Sequence, residues 1–193
     1  MRKIIVMEHV SLDGYLGGPG GEMDWIHVGP EMWEYVDPLT AQADAAIFGR
    51  ITYEMMLSYW PTAGDGPGAT SHDKNHSRWL NDATKVLVSS TTETASWAGR
   101  DNVTLVRNDV TKRIREIKQQ PGKDMLLFGS ASVARALIGE GLVDEYRLML
   151  NPVILGAGIS LFPDAGSKQA LSLVESRVLE GGVVALSYQK SNE

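Results

Sequence analysis

Three short apolar runs in this chain end in residues suited to gripping a phosphorylated ligand. They are Phe48-Gly49-Arg50-Ile51-Thr52-Tyr53-Glu54, Val88-Ser89-Ser90-Thr91 and Phe128-Gly129-Ser130-Ala131-Ser132. Glycine lets backbone approach a phosphate closely, Arg50 offers a two-pronged charge, and Thr52 and the serines donate hydroxyl hydrogen bonds. None of these groups is redox active, so a hydride would have to come from a bound cofactor. Each run also has an ordinary reading: Gly-Arg as a helix cap, Ser-Ser as a turn, Gly-Ser-Ala-Ser as an N-cap. Their joint occurrence in one order favours a shared ligand site.

Composition removes several other chemistries. The 193 residues contain no cysteine, which excludes disulfides, thiolate nucleophiles and Cys-ligated zinc. A formal charge of -6 with no basic run argues against nucleic acid as a partner. His72 and His76 stand four apart in a polar segment without an obvious third ligand, so no metal site is expected. No stretch approaches the roughly 20 apolar residues that span a bilayer, and Met1 to Val6 lacks a signal-peptide h-region. A cytoplasmic protein with no membrane partner is expected. With 43% hydrophobic and 22% charged residues and no linker-like break, residues 1–193 read as a single globular domain.

The elements that would carry these turns follow from periodicity. Lys3 to Met7, Ala45 to Phe48, Lys85 to Val88, Val103 to Val106 and Met125 to Phe128 are short apolar runs of buried-strand character. Ser11 to Gly21 reads as a mobile glycine-rich loop directly after the first strand. Helices are expected over Pro30 to Ala43, with a kink or break at Pro38, over Ile51 to Ser58, behind an Asp109 cap, and from Ser132 to Gly139 or Gly141. Pro61 to Ser77 is polar and glycine-rich, a surface excursion. Val143 to Leu150 is a further strand, and Leu171 to Val178 and Val183 to Lys190 form a hairpin around Gly181-Gly182, with Val184, Leu186 and Tyr188 on one face. Strands alternate with helices first and then stand alone, which predicts a mixed, mostly parallel central sheet ending in an antiparallel hairpin. The edge strands need cover, and a homodimer would provide it.

The same runs carry a family resemblance. Gly49-Arg50-x-Thr52-Tyr53-Glu54 resembles the Gly-Arg-x-Thr-Trp-Glu segment of dihydrofolate reductases, Ser89-Ser90 resembles the strand-end serines that hold the adenosine 2′-phosphate there, and Phe128-Gly129-Ser130-Ala131 is similar to their Gly-Gly phosphate turn. Ser11-Leu12-Asp13-Gly14, Gly141-Leu142-Val143-Asp144-Glu145 and Asn151-Pro152-Val153-Ile154-Leu155-Gly156 resemble more closely the reductase domain of bacterial riboflavin-biosynthesis proteins, while Leu161-Phe162-Pro163 fits both branches. The likeness runs from about residue 3 to residue 188.

The resemblance implies a dihydrofolate reductase-like three-layer α/β/α fold that binds NADPH and passes a hydride to a C=N or C=O bond of a heterocycle or a ribosylamino-pyrimidine. It assigns Gly49, Arg50, Thr52, Tyr53, Ser89, Ser90, Thr91, Phe128, Gly129, Ser130, Ala131 and Ser132 to the cofactor. It assigns Asp13, Gly14, Trp25 and Glu31 to the substrate, with Glu31 as the carboxylate that supports protonation; Glu34 is the neighbouring alternative and a solvated helix face the bland one. His9 reads as a satisfied core imidazole. The chain departs from the riboflavin-type pattern at Phe128 and Ser130, where an acidic residue and a second glycine are expected. It also lacks the cysteines of the zinc deaminase domain fused to those enzymes. A catalytically silent NADP-binding module or sensor would share the cleft and differ only in lacking an acid beside the nicotinamide.

Overall fold

Strand β1 (Ile4–Val10) is apolar on both faces, and its alternate residues enter two different cores. Ile4, Val6 and Val10 join the cluster under the helices α4 (Val110–Gln119) and α5 (Ala131–Gly139). Ile5 and Met7 join the opposite cluster, which holds Met32, Tyr35 and Val36 of α1 (Pro30–Ala41), Tyr53 of α2 (Arg50–Tyr59) and Leu80 of α3 (Ser71–Asp82). A strand buried on both sides has no polar face to alternate with, hence its continuous hydrophobic run. The computed structural model describes residues 1–162 and 168–191; Pro163 of the Leu-Phe-Pro motif lies outside them.

The remaining strands are β2 (Tyr15–Gly17), β3 (Ala43–Gly49), β4 (Thr84–Val88), β5 (Val103–Val106), β6 (Asp124–Phe128), β7 (Glu145–Leu150), β8 (Ile159–Ser160), β9 (Leu171–Val178) and β10 (Val184–Lys190). Eight of the ten described strands, β1 included, form one sheet in the order β5-β4-β3-β6-β1-β7-β10-β9. Pairings from β5 to β7 are parallel, while β10 runs antiparallel to both β7 and β9. This is the expected mixed sheet with a C-terminal antiparallel hairpin, layered between helices. The order places β3, β6 and β1 side by side, so the turns after β3 and β6 open next to the end of β1.

Four local expectations differ. The Pro61 to Ser77 excursion ends early: α3 begins at Ser71, and Thr70 and Asp73 form a reciprocal capping box, a Thr-x-x-acid signature that outweighs the polar composition. Pro38 does not break α1, because burial of Met32, Tyr35, Val36 and Thr40 holds the helix across the missing N–H. Asp109 is not a side-chain cap; it sits at φ 49 in the left-handed region. The glycine-rich segment is partly strand, since β2 pairs with β8 and Ser11 Oγ accepts the Tyr15 N–H at 2.9 Å.

Candidate nucleotide site at the strand ends

The turns after β3 and β6 are bonded to each other. Gly49 N donates to Ser130 Oγ at 2.6 Å, and Ser130 N donates to Thr52 Oγ1 at 3.1 Å. Such close approach requires small groups. A Cβ on Gly129, whose φ is +53, would stand 2.8 Å from Thr52 Oγ1, and one on Gly49 would stand 3.3 Å from Ser130 Oγ. Ser130 itself is left-handed at φ 58, a conformation that costs a non-glycine residue about 1–2 kcal/mol. Its hydroxyl recovers part of that cost by accepting Gly49 N, which is how serine serves where the resembling turn has a second glycine.

Two helices therefore present their N-termini at one place, α2 with Gly49 as N-cap and α5 with Ser130 as N-cap, and neither N-cap uses a side-chain bond to satisfy its helix. The Ala131 and Ser132 N–H groups have no partner among the described residues. Unpaired N–H groups with a positive dipole end are a ready anion site. Arg50 is exposed at the start of α2 and forms a two-oxygen contact with Glu54 at 3.0 and 2.9 Å.

The third turn is organised by Ser89, whose buried Oγ accepts from Thr92 N at 3.1 Å and Thr92 Oγ1 at 2.8 Å. Ser90 and Thr91 stay exposed. Sequence reasoning missed Arg107 here. Because Val106 pairs with Val88, Arg107 lies next to this turn and donates Nη2 to Ser90 O at 3.4 Å. A lone basic residue just past an edge strand was the available signal.

Tyr53 and Phe128 face inward. The Tyr53 hydroxyl donates to Ser96 O at 2.9 Å, and Phe128 stacks near Phe48 with ring centroids 5.9 Å apart. That cluster continues through Trp79, His76, Trp60, His72 and Trp33, with Trp33 stacked on His72 at 3.9 Å. His72 Nδ1 lies 2.6 Å from Asp37 Oδ1, and burial pushes the His76 imidazole down to about 3, so it is neutral near pH 7. Among the described residues no three His, Cys, Asp or Glu side chains converge as a metal-holding group.

On the substrate side, Asp13 spends its carboxylate on Ser11 Oγ at 2.7 Å and on the Leu155 and Gly156 N–H groups at 3.1 and 2.8 Å; those bonds hold it below the usual carboxylate range. Gly14 adopts φ 86 beside it. Trp25 donates Nε1 to Glu22 O at 3.0 Å. Glu31 is exposed on the first turn of α1, where Oε2 accepts Glu180 N at 2.7 Å and ties the helix to the β9–β10 turn. His9 is neutral near pH 7, pushed by burial down to about 4.

The carboxyl that burial does raise is Glu8, which sequence reasoning passed over although a Glu inside Ile4–Val10 is conspicuous. It lies near the carboxyl end of β1, 5% exposed, with Oε2 accepting Gly129 N at 2.9 Å and Oε1 buried without a partner among the described residues. Desolvation lifts it well above the usual value, against the smaller opposing pull of the Gly129 N–H.

Two cavities of about 410 and 370 Å³ open elsewhere, at the amino ends of the strands, lined by Ala43, Asp44, Ala83 and Lys123 and by Arg2, Thr84 and Gln120. The paired helix N-termini and glycine approaches are at the carboxyl end, where open α/β sheets bind ligands.

The chain matches the family described as RibD C-terminal domain over residues 2–185. It is 35% identical over 189 residues to YyaP, an uncharacterized protein of Bacillus subtilis (strain 168), covering 97% of this chain and 94% of that one. Among solved structures it superposes on a protein of Shewanella sp. PV-4 named for riboflavin biosynthesis with TM-score 0.76 and 23% identity, covering 98% of this chain and 99% of that one. Dihydrofolate reductase from Enterococcus faecalis, solved with NADP(H), gives TM-score 0.61 and 14% identity, covering 98% and 97%. At these identities the structural likenesses establish the fold: a dihydrofolate reductase-like α/β arrangement.

Proposed function

The chain belongs to the RibD C-terminal domain family, and on that premise we propose that it is an NADPH-dependent reductase acting on a small heterocyclic or ribosylamino-pyrimidine substrate. The observation that carries the reading is the cross-tied pair of turns, in which Gly49, Ser130, Thr52 and Gly129 hold two helix N-termini at one point beside β1. That cradle suits a diphosphate: Ala131 and Ser132 N–H groups bind its oxygens, and Arg50 adds a charge at its edge. Ser89, Ser90, Thr91 and Arg107 take the adenosine 2′-phosphate. Tyr53 and Phe128 act from below, fixing the two turns through the aromatic cluster. When bound, the cofactor supplies the hydride; the chain supplies position and exclusion of water.

Asp13 and Gly14 shape the loop over the substrate, and Trp25 and Glu31 border it at the same end of the sheet, Glu31 supporting protonation. The proposal takes the protein as cytoplasmic and homodimeric. All eight residues of the edge strand β9 are exposed, including Leu171, Leu173, Val174 and Val178, an apolar edge that a second copy would cover. Light scattering should return the mass of two chains; one chain at micromolar concentration would remove the dimer.

The test of function is a turnover and thermal-shift panel of NADPH with dihydrofolate and with the deaminated pyrimidine intermediate of riboflavin synthesis. NADPH at about 100 times its Kd should stabilise by about 2.7 kcal/mol, and one of the substrates should consume it. Stabilisation without turnover of any heterocycle would favour the silent binding module instead.

A further inference from the structure

We propose that Glu8 is a ligand-binding residue beside the α5 turn that engages the dinucleotide only in its protonated form, so that cofactor binding to protein with an ionised Glu8 draws one proton onto it. The inference rests on the dinucleotide reading above and adds a residue that reading does not use.

The geometry is specific. Gly129 immediately precedes the N-cap of α5, and its N–H is already taken by Glu8 Oε2 at 2.9 Å. A diphosphate held by the Ala131 and Ser132 N–H groups would therefore lie next to the Glu8 carboxyl. A carboxylate and a diphosphate cannot share one helix N-terminus without repulsion, whereas a neutral carboxyl can keep accepting from Gly129 and donate its O–H to a phosphate oxygen. Oε1 has no partner among the described residues, so an O–H there is uncommitted and can be donated once the diphosphate lies against it.

The surroundings favour the neutral form. The face of the sheet that Glu8 shares carries Val6 and Val10 of β1, Leu148 and Tyr146 of β7, Val133 and Ala134 of α5, and Leu16 and Leu161 of the β2 and β8 segments. Tyr146 is the titratable group of that set, and burial pushes it up to about 12. The cation on α5, Arg135, gives Nη1 to Ser160 O at 2.6 Å. His9 follows Glu8 in β1 and so faces the opposite side of the sheet. Among the described residues no salt bridge reaches Glu8. The Gly129 N–H favours the ionised form, and loss of hydration on burial outweighs it.

The experiment is calorimetric titration of wild-type protein and Glu8→Gln with NADPH between about pH 7 and 9.5, above the 2′-phosphate titration near pH 6, in buffers of different ionisation enthalpy. Glu8→Gln keeps the shape and stays neutral. Below the apo titration of Glu8 wild type should take up almost no proton; above it, uptake should climb towards one and the Kd should rise by up to about tenfold per pH unit. The variant should take up none and show a flat Kd. Lys85, which burial lowers to about 7, titrates alike in both proteins, so their difference isolates Glu8. Equal uptake and equal pH slopes in the two proteins would overturn the proposal while leaving the dinucleotide reading intact. No NADPH binding by either protein would overturn both. If the variant does not fold, infrared difference spectra of wild type with and without NADPH, at a pH where apo Glu8 is ionised, decide: a protonated carboxyl band gained as a carboxylate band is lost supports the proposal, and its absence rejects it.

Discussion

Arg50→Ala is expected to lower NADPH affinity about 10 to 150-fold, the loss of one charge-assisted phosphate contact of about 1.5–3 kcal/mol. Apo stability should barely change. Arg50 is exposed, its one ion pair among the described residues is the i,i+4 contact with Glu54, and such surface pairs contribute a few tenths of a kcal/mol. A cation at a helix N-terminus is also slightly unfavourable, which offsets part of that contribution. The Glu54 contact supplies a second arm: Glu54→Gln frees the guanidinium and should tighten NADPH modestly. Calorimetry and melting curves on the two variants separate the roles. A variant Arg50→Ala that melts several degrees early but binds NADPH normally when folded would make Arg50 a structural anchor.

Gly129→Ala should damage both stability and cofactor binding. Its φ of +53 costs alanine about 1–2 kcal/mol, and the new Cβ would meet Thr52 Oγ1 at 2.8 Å and Thr52 Cγ2 at 3.2 Å. A total of about 2–3 kcal/mol lowers the melting temperature of a chain this size by roughly 5–10 °C. The two turns must then move apart, weakening both the Ser130 N to Thr52 bond and the alignment of the α5 N–H groups, so NADPH affinity should fall about 10 to 100-fold. Gly99→Ala is the control: its φ is +81 with nothing within 4 Å of an added Cβ, so it carries the backbone cost without the clash. If both variants lose stability equally and bind NADPH equally, the packing of Gly129 on Thr52 has no part in the site.

Much of this was legible from residue types. Apolar runs ending in Gly-Arg, Ser-Ser and Gly-Ser located three strand ends, because a doubly buried strand has no polar alternation to disguise it. The hairpin around Gly181 was equally plain: that glycine sits at φ 71, where a side chain would be strained. What escaped was set by long-range partners. Thr70 to Asp73 capping turned a polar stretch into a helix, and buried packing carried α1 through Pro38. Ser130 adopts a glycine-like conformation because Gly49, 81 positions away, bonds its hydroxyl. Glu8 belongs to the same class: local pattern gives its strand, and only the neighbouring β6–α5 turn gives its carboxyl a role.

The central claim, that these strand ends form a dinucleotide site selective for the 2′-phosphate, is tested most directly by titrating the apo protein with NADPH and with NADH in parallel. The account predicts one NADPH bound per chain, with NADH weaker by about 10 to 150-fold, the worth of a charged contact to the added phosphate. Equal affinity for the two cofactors, or no heat from either, would contradict it.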